Sequence, residues 1–288
     1  MRIAFFGLGN MGFPIAANLL KHGHTVTTAV HRTPESALRL QELGGIVAAS
    51  PAKAVEGAEL IFTIVPEDTA LLELLLHPTL ADAITPGSVI VDMTSASPGA
   101  IQTVAEFYTP RSVDVLDAPV SGGVAGAKAG TMTILCAGDP AVFRRVEPVL
   151  ECISGRRCLV GEQVGHGKIV KSLNNLLNAV NKAAVGEAWQ MAEAHGIDPA
   201  AFEEAISASS GDSYAFRTTF PRIKKGDYTP AFTVALMRKD VGLAMALAGN
   251  QHLPLGETTL QYYELAREFD GEDSSAVTKV QFPTPKSE

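Results

Sequence analysis

A glycine-rich segment near the start of the chain constrains the fold more than any other feature. Residues 1–6 form a short apolar run, as expected for a strand buried on both faces of a parallel sheet. The segment that follows consists of Gly7, Leu8, Gly9, Asn10, Met11 and Gly12. A helical pattern begins directly after it. A strand, a turn with spaced glycines and a helix in this order predict a dinucleotide-binding unit.

Each glycine of this turn has its own expected purpose. Gly7 allows the tight turn, Gly9 lets the backbone approach a pyrophosphate, and Gly12 lets the helix pack on the strand. Free N–H groups at the start of the helix favour an anion. The alternative, a glycine-rich turn without a ligand, is disfavoured by the flanking strand and helix. We therefore predict that residues 7–12 bind NAD or NADP.

The end of the second predicted strand bears on the choice between the two cofactors. NAD enzymes commonly place an acidic residue about 20 positions past the glycines, where it binds the ribose hydroxyls. This sequence has His31, Arg32 and Thr33 there, with no carboxylate before Glu35. An arginine offers a planar cation that suits a 2′-phosphate, and the alternative is a solvated surface arginine. We predict that the protein prefers NADP and can still use NAD.

The chain divides into two parts of different character. Apolar segments alternate with helical patterns in the first part, at residues 25–30, 60–65, 88–92 and 113–117. This alternation predicts an α/β fold with a doubly wound parallel sheet. A long helical pattern without proline then covers residues 168–195, and more helical patterns follow it. We predict a Rossmann domain at residues 1–162 and an all-α domain at residues 163–288.

Composition excludes several classes of protein. The 288 residues, of which 46% are hydrophobic, suffice for two buried cores. The net charge of −8 argues against a nucleic-acid partner. Three cysteines without C-x-x-C spacing argue against a disulfide scaffold or a zinc site, and we expect no metal. No apolar run resembles a membrane span or a signal peptide, so we expect a cytoplasmic protein without a membrane partner.

Two polar segments follow predicted strands. Residues 91–98 place hydroxyls just past a strand's carboxyl end, where open α/β sheets bind ligands. Residues 117–132 do the same, and contain Ser121 followed by Gly122 and Gly123. Such a turn exposes several N–H donors, which suit a carboxylate or an oxyanion. From composition alone, an ordinary strand-to-helix turn remains the more frequent explanation of each segment.

The start of the long helix carries two lysines. Lys171 and Asn175 are four residues apart and share one face, and Lys168 lies on that face one turn earlier. A lysine that points into an apolar cleft can have a lowered pKa and act as a general acid or base. A helix lysine is far more often a solvated charge.

Taken in order, these segments resemble the β-hydroxyacid dehydrogenase family. The matching stretches are GLGNMGFPIAANL, VPEDTA, VDMTSASPGA, DAPVSGGVAGAKAGTM, GHGKIVKSLNN and MRKDVGLA, which span nearly the whole chain. The family includes 3-hydroxyisobutyrate dehydrogenase, tartronate semialdehyde reductase and the glyoxylate/succinic semialdehyde reductases. The resemblance implies a Rossmann domain, then an all-helical domain whose first long helix bridges the two.

The resemblance also implies roles around the substrate. Lys171 matches the catalytic lysine, which protonates the carbonyl oxygen during reduction or takes the hydroxyl proton during oxidation. Asn175 matches the asparagine that helps to hold the substrate. The segment that grips the substrate carboxylate is matched by Ser121, Gly122 and Gly123. The resemblance gives Lys168 no catalytic role, so we expect its replacement to be much milder than that of Lys171.

Further positions match the family's cofactor contacts. Val65 and Pro66 match a pair that lines the cofactor, and Ser95 stands where the family usually has threonine beside the nicotinamide ribose. Lys239 matches a lysine near the cofactor and the substrate pocket, with Asp240 as its neighbour. The loss of a methyl group at Ser95 keeps the hydroxyl, so we expect only a modest change there.

The resemblance implies an oxidoreductase that interconverts a small β-hydroxy acid and its aldehyde acid, and the residues after the second strand predict that it prefers NADP. The alternatives are an imine reductase, a phosphogluconate-dehydrogenase-like enzyme or a non-catalytic relative. Imine reductases usually lack the lysine, phosphogluconate dehydrogenases have a longer helical domain, and a non-catalytic relative would have lost Lys171 and Asn175. The partners expected are a small carboxylate-bearing substrate and a second copy of the chain. We expect a homodimer or homotetramer built mainly through residues 165–270.

Overall fold

The structure is a computed structural model that describes residues 1–30 and 34–280. Residue contacts divide the chain into two compact units, Met1–Lys171 and Ser172–Glu288. The division falls inside the long helix His166–Ala194, so this helix contributes to both units.

The first unit contains, within the described residues, a nine-stranded sheet. Its strands are β1 (Arg2–Phe6), β2 (Thr25–Ala29), β3 (Ile46–Ala48), β4 (Leu60–Thr63), β5 (Val89–Asp92), β6 (Asp114–Asp117), β7 (Val120–Ser121), β8 (Met132–Ala137) and β9 (Ser154–Gly161). The strand order is β3-β2-β1-β4-β5-β6-β8-β7, and β9 pairs with β8. The first six strands of this order are mutually parallel, whereas β8 runs antiparallel to β6 and β7.

Helices connect these strands. They are α1 (Gly12–Lys21), α2 (Glu35–Glu42), α3 (Pro51–Val55), α4 (Asp68–Leu75), α5 (Pro78–Ala83), α6 (Pro98–Tyr108), α7 (Gly123–Ala129), α8 (Pro140–Leu150) and the start of α9 (His166–Ala194). Short 3₁₀ turns follow α6 and α8 at Thr109–Arg111 and Glu151–Ile153. Strands β4 and β5 are buried along their whole length, and in the sequence each is an apolar run that ends in one polar residue, Thr63 or Asp92.

The sheet has one apolar layer on each face, because successive side chains of a strand point to opposite sides. Phe5 and Phe62 stack in one layer, with ring centroids 5.9 Å apart. Ile61, Ile90 and Tyr108 belong to the other layer. These two layers hold the central strands in place, so the positions of their carboxyl ends are well defined.

The second unit is helical within the described residues, apart from an isolated bridge between Thr233 and Asp273. After α9 it contains α10 (Pro199–Ser207), α11 (Tyr214–Lys225), α12 (Val234–Ala246) and α13 (Pro254–Leu265), followed by 3₁₀ turns at Ala266–Phe269 and Ser274–Lys279. Its main core includes Val241, Tyr263 and Val277. No described helix has both the length and the hydropathy that a membrane span requires.

The predicted α/β class, with a Rossmann-type sheet followed by a helical part, is confirmed. Several elements were not predicted, among them strand β9 and helix α11. Strand β9 lies at the sheet's edge and contains two arginines, so its residues are mostly not buried and no apolar run marks it. Helix α11 contains Pro221, although Ser213 caps its start by accepting the N–H of Phe216.

Candidate active site

The glycine turn between β1 and α1 contains two glycines at which a side chain would clash with the backbone and one at which there is open space. Gly7 has φ +98°, and a Cβ there would lie 2.0 Å from the carbonyl oxygen of Ile64. A Cβ at Gly12 would lie 1.8 Å from the carbonyl oxygen of Gly7. At Gly9 an added Cβ meets nothing within 4 Å, and this glycine is exposed.

The start of α1 also suits an anion. No side chain caps it, and its first turn contains no acidic residue. Free N–H groups and the helix dipole favour negative charge at such a terminus. The turn therefore fits the pyrophosphate of a dinucleotide, which could come close to the backbone at Gly9. The other residues predicted in this turn, Leu8, Asn10 and Met11, lie beside it and are half-buried or exposed.

Two more predicted cofactor segments lie at the same edge of the sheet. Val65 and Pro66 follow β4, and Ser95 follows β5, its parallel neighbour. The N–H of Val65 donates a hydrogen bond of 3.1 Å to Oγ1 of Thr94, which joins the two segments. The residues predicted to select NADP, which are His31, Arg32 and Thr33, lie outside the described residues.

The predicted carboxylate-binding segment forms a turn that depends on glycine. Ser121 ends β7, and Gly122 and Gly123 have φ values of +132° and +62°. These values fall in the region that side chains disfavour, so both glycines are needed for the turn. Ser121 is half-buried and the two glycines are exposed, so the backbone of this turn is open to a ligand.

A buried ion trio lies next to these segments, and the sequence did not reveal it. The trio consists of Asp92 at the end of β5, Asp117 at the end of β6 and Lys168 in the first turn of α9. Nζ of Lys168 lies 2.7 Å from Oδ2 of Asp92 and 2.8 Å from Oδ1 of Asp117. All three side chains are fully buried. Sequence separation hid this contact, although a carboxylate ending each of two neighbouring buried strands calls for a nearby cation.

Both carboxylates of the trio accept further hydrogen bonds. The hydroxyls of Thr63 and Thr94 each donate to Oδ1 of Asp92 at 2.6 Å. Oδ2 of Asp117 accepts the N–H groups of Gly165 and Lys168 at 3.1 and 3.0 Å. Asp117 therefore holds the first turn of α9 through the backbone as well as through the lysine side chain.

The electrostatics of the trio keep Lys168 charged. Burial alone would lower the pKa of Lys168, but the carboxylates of Asp117 and Asp92 outweigh it and raise this pKa above its usual value. Burial raises the pKa of Asp117, and the charge on Lys168 opposes that shift. The carboxylates thus favour the charged form of Lys168.

This burial changes the expected effect of replacing Lys168. The sequence indicated a mild effect, because the resemblance gives Lys168 no catalytic role. Removal of one partner from a buried ion pair commonly costs about 3–5 kcal/mol, because a charge is left without compensation. We now expect a substantial loss of stability from Lys168→Ala.

Lys171 lies one turn beyond Lys168 on α9 and is half-buried. Three residues advance a helix by about 4.5 Å. Because Lys168 is bonded to residues that end β5 and β6, Lys171 lies close to the carboxyl edge of the sheet. The glycine turn and the segments that contain Val65 and Ser95 also begin at this edge.

The remaining predicted residues belong to the second unit. Nδ2 of Asn175 donates a hydrogen bond of 2.5 Å to Oδ2 of Asp240 on α12. Lys239 places its Nζ 3.5 Å from Oδ1 of Asp240, which is buried. Asp240 thereby fixes the orientation of the Asn175 amide. The sequence identified these residues but did not predict the bond between Asn175 and Asp240. No group of three or more candidate metal ligands occurs in the described parts of the chain.

The sheet order, the glycine turn and the helical second unit define a dinucleotide-binding protein of the Rossmann class. Residues 2–165 match the family model described as the NAD-binding domain of 6-phosphogluconate dehydrogenase. Residues 165–281 match the model described as the NAD-binding domain of NADP-dependent 3-hydroxyisobutyrate dehydrogenase.

Relatives with these two parts are similar over almost their whole length. The 2-(hydroxymethyl)glutarate dehydrogenase of Eubacterium barkeri is 37% identical, over 97% of this chain and 94% of that protein. The 3-hydroxyisobutyrate dehydrogenase of Pseudomonas aeruginosa is 35% identical, over 96% of this chain and 97% of that protein. The Mycobacterium tuberculosis 3-hydroxyisobutyrate dehydrogenase, solved with L-serine, has a TM-score of 0.89 and 32% identity, covering 96% of this chain and 97% of its own.

The chain belongs to the β-hydroxyacid dehydrogenase family and is an NAD(P)-dependent enzyme of that family. The resemblance inferred from the sequence motifs is thus confirmed. Imine reductases share the fold at 22% identity and a TM-score of 0.64, which is a likeness of fold alone.

Proposed function

We propose that this enzyme prefers NADP and interconverts a small β-hydroxy acid and its aldehyde acid, with Lys171 as general acid and base. The names of the relatives support the substrate class. They include dehydrogenases of 3-hydroxyisobutyrate and L-threonate and, in Escherichia coli, a 2-hydroxy-3-oxopropionate reductase at 36% identity. Each name combines a carboxylate with a hydroxyl or an aldehyde.

One observation carries the proposal. The first turn of α9 is bonded to the ends of β5 and β6 through Lys168, and Lys171 follows one turn later. A lysine close to the sheet edge where the glycine turn begins supports the proposal, because carbonyl reduction requires a proton donor beside the cofactor.

The chain's residues then have separate tasks. The bound dinucleotide supplies or accepts a hydride. Lys171 gives a proton to the carbonyl oxygen in reduction and takes the hydroxyl proton in oxidation. The turn at Ser121, Gly122 and Gly123 binds the substrate carboxylate through N–H donors. Asn175, oriented by its hydrogen bond to Asp240, holds the substrate.

The deciding experiment is an absorbance assay of nicotinamide turnover. The panel contains small β-hydroxy acids, the matching aldehyde acids, 6-phosphogluconate and a cyclic imine, each with both cofactors. We expect turnover with at least one hydroxy acid or aldehyde acid. Turnover with the imine or 6-phosphogluconate alone would contradict the proposed substrate class.

The preference for NADP is proposed from Arg32. A charge-assisted hydrogen bond to the 2′-phosphate contributes roughly 1.5–3 kcal/mol, or about a ten- to hundredfold preference. We expect wild-type kcat/KM to be higher with NADPH than with NADH, and Arg32→Ala to reduce that ratio by this factor. Equal wild-type efficiencies, or a ratio unchanged in the variant, would remove Arg32 from the cofactor proposal.

We also propose that the second unit mediates self-association. Leu173 and Leu177 on α9 are 45% and 66% exposed although they lie on one helix face. We expect a dimer or tetramer by light scattering at micromolar concentration, and a smaller mass for the Leu173→Glu/Leu177→Glu variant. Leu38→Glu, at an exposed leucine of α2, is the control that keeps the wild-type mass. A monomeric wild type contradicts the proposal.

A further inference from the structure

We propose that Lys168 is a positioning residue, which fixes the catalytic Lys171 by tying the first turn of α9 to the ends of β5 and β6. The effect on turnover rests on the proposed function, whereas the effect on the helix does not. The proposal starts from the buried ion trio, whose members Asp92, Asp117 and Lys168 were given no role by the sequence.

Three oxygens surround the ammonium group of Lys168. A lysine ammonium has three donors. Three oxygens lie within hydrogen-bonding distance of Nζ: Oδ2 of Asp92 at 2.7 Å, Oδ1 of Asp117 at 2.8 Å and the carbonyl oxygen of Asp92 at 3.1 Å. Two ion-pair contacts, the hydrogen bond from Nζ to the carbonyl oxygen of Asp92 and the hydrogen bond from the Lys168 N–H to Oδ2 of Asp117 together hold the helix start against both strands.

The same trio extends to the segments that are proposed to bind the cofactor. Oγ1 of Thr94 donates to Asp92 and accepts the N–H of Val65. Thr94 directly precedes Ser95, so one hydrogen-bond network joins the segments after β4 and β5 to the start of α9. Displacement of Lys168 would therefore change the position of Lys171 relative to the segments that are proposed to bind the cofactor.

Stability alone is a weak explanation for this trio. Replacement of a whole buried ion pair by apolar residues of similar volume often leaves the stability of a protein unchanged or raises it. Burial of one cation between two carboxylates is therefore not expected to raise the stability of the fold. What directed bonds do provide is a defined geometry. A misplacement of about 1 Å at a reacting group can cost about a hundredfold in rate, and Lys171 is one helical turn from the trio.

The test compares Lys168→Met with Lys182→Met. Lys182 is a second buried lysine on α9, whose Nζ donates to Oγ of Ser274 at 2.6 Å, and it lies three turns beyond Lys171. Both variants lose a buried ammonium from the same helix. We expect both to melt at a lower temperature than the wild type, so stability alone does not distinguish them.

Two measurements distinguish them. The first is kcat per NADPH-binding site, with sites counted by fluorescence titration, so that unfolded enzyme does not enter the value. We expect Lys168→Met to lower it by roughly ten- to a hundredfold, with KM changed much less, and Lys182→Met to leave it unchanged. The second is amide hydrogen exchange across residues 166–171. We expect faster exchange there in Lys168→Met only.

Several outcomes overturn the proposal. An unchanged kcat per site in Lys168→Met, or equal losses in both variants, shows that the trio does not position Lys171. Unchanged hydrogen exchange at the start of α9 in Lys168→Met also overturns the proposal, and this measurement needs no substrate. Absence of turnover in the wild type would reject the proposed function instead. If Lys168→Met does not fold, Asp117→Asn replaces it, because it keeps an acceptor for the helix N–H groups and loses the charge opposite Lys168. The same losses are expected of it, and their absence overturns the proposal equally.

Discussion

Lys171→Ala is expected to lower kcat by about 10²–10⁴-fold or more while NADPH binding stays intact, because general acid–base catalysis contributes roughly this factor. The substitution removes the proton donor but leaves the glycine turn and the segments after β4 and β5 untouched. The measurements are kcat from absorbance and the NADPH dissociation constant from fluorescence titration.

Lys53→Ala is a suitable control, because Lys53 is exposed and pairs only locally with Glu56 in the same unit. We expect wild-type turnover from this control. If Lys171→Ala kept more than a tenth of the wild-type kcat, proton transfer would have to depend on another group.

Gly9→Ala is expected to bind NADPH roughly ten- to a hundredfold more weakly and to fold as the wild type does. An added methyl group meets no protein atom within 4 Å, so the native fold accepts it. It would occupy the space through which the pyrophosphate approaches, and overpacking of this kind commonly costs about 1–3 kcal/mol. The measurements are the melting temperature and the NADPH dissociation constant.

Gly12→Ala serves as the comparison, because we expect it to change the melting temperature, which Gly9→Ala is expected to leave unchanged. Its Cβ would lie 1.8 Å from the carbonyl oxygen of Gly7, so the turn itself must shift and the melting temperature must fall. Wild-type NADPH affinity in Gly9→Ala would show that the pyrophosphate does not approach the backbone at this glycine.

The sequence predicted those strands whose burial produces a run of apolar residues. Strands β4 and β5 are buried along their whole length, and each is an apolar run up to its last residue, which is Thr63 or Asp92. Strand β9 pairs with β8 at the sheet's edge, so tertiary pairing rather than an apolar run determines it. The proline in α11 similarly concealed a helix whose cap and apolar contacts support it.

The parts of the candidate site that lie within short sequence motifs were predictable. The glycine turn follows from the order of a strand, three spaced glycines and a helix. The resemblance identified Lys171 and Asn175 by their place in a motif. The partners Asp92, Asp117 and Lys168 are far apart in the chain, and only the folded sheet shows that their charges meet. Asp240 was likewise identified without its bond to Asn175.

The continuity of α9 across the two units has a consequence for recombination between relatives. Lys171 closes the first unit and Asn175 follows in the second, yet both lie on one uninterrupted helix. The backbone of that helix therefore fixes their spacing, at about 6 Å along its axis. A chimera joined before His166 imports Lys171, the proposed proton donor, together with Asn175, which is proposed to hold the substrate, from the same parent. A junction between residues 171 and 175 takes the two residues from different parents at an unchanged separation along the helix, so the two proposed roles could be exchanged independently.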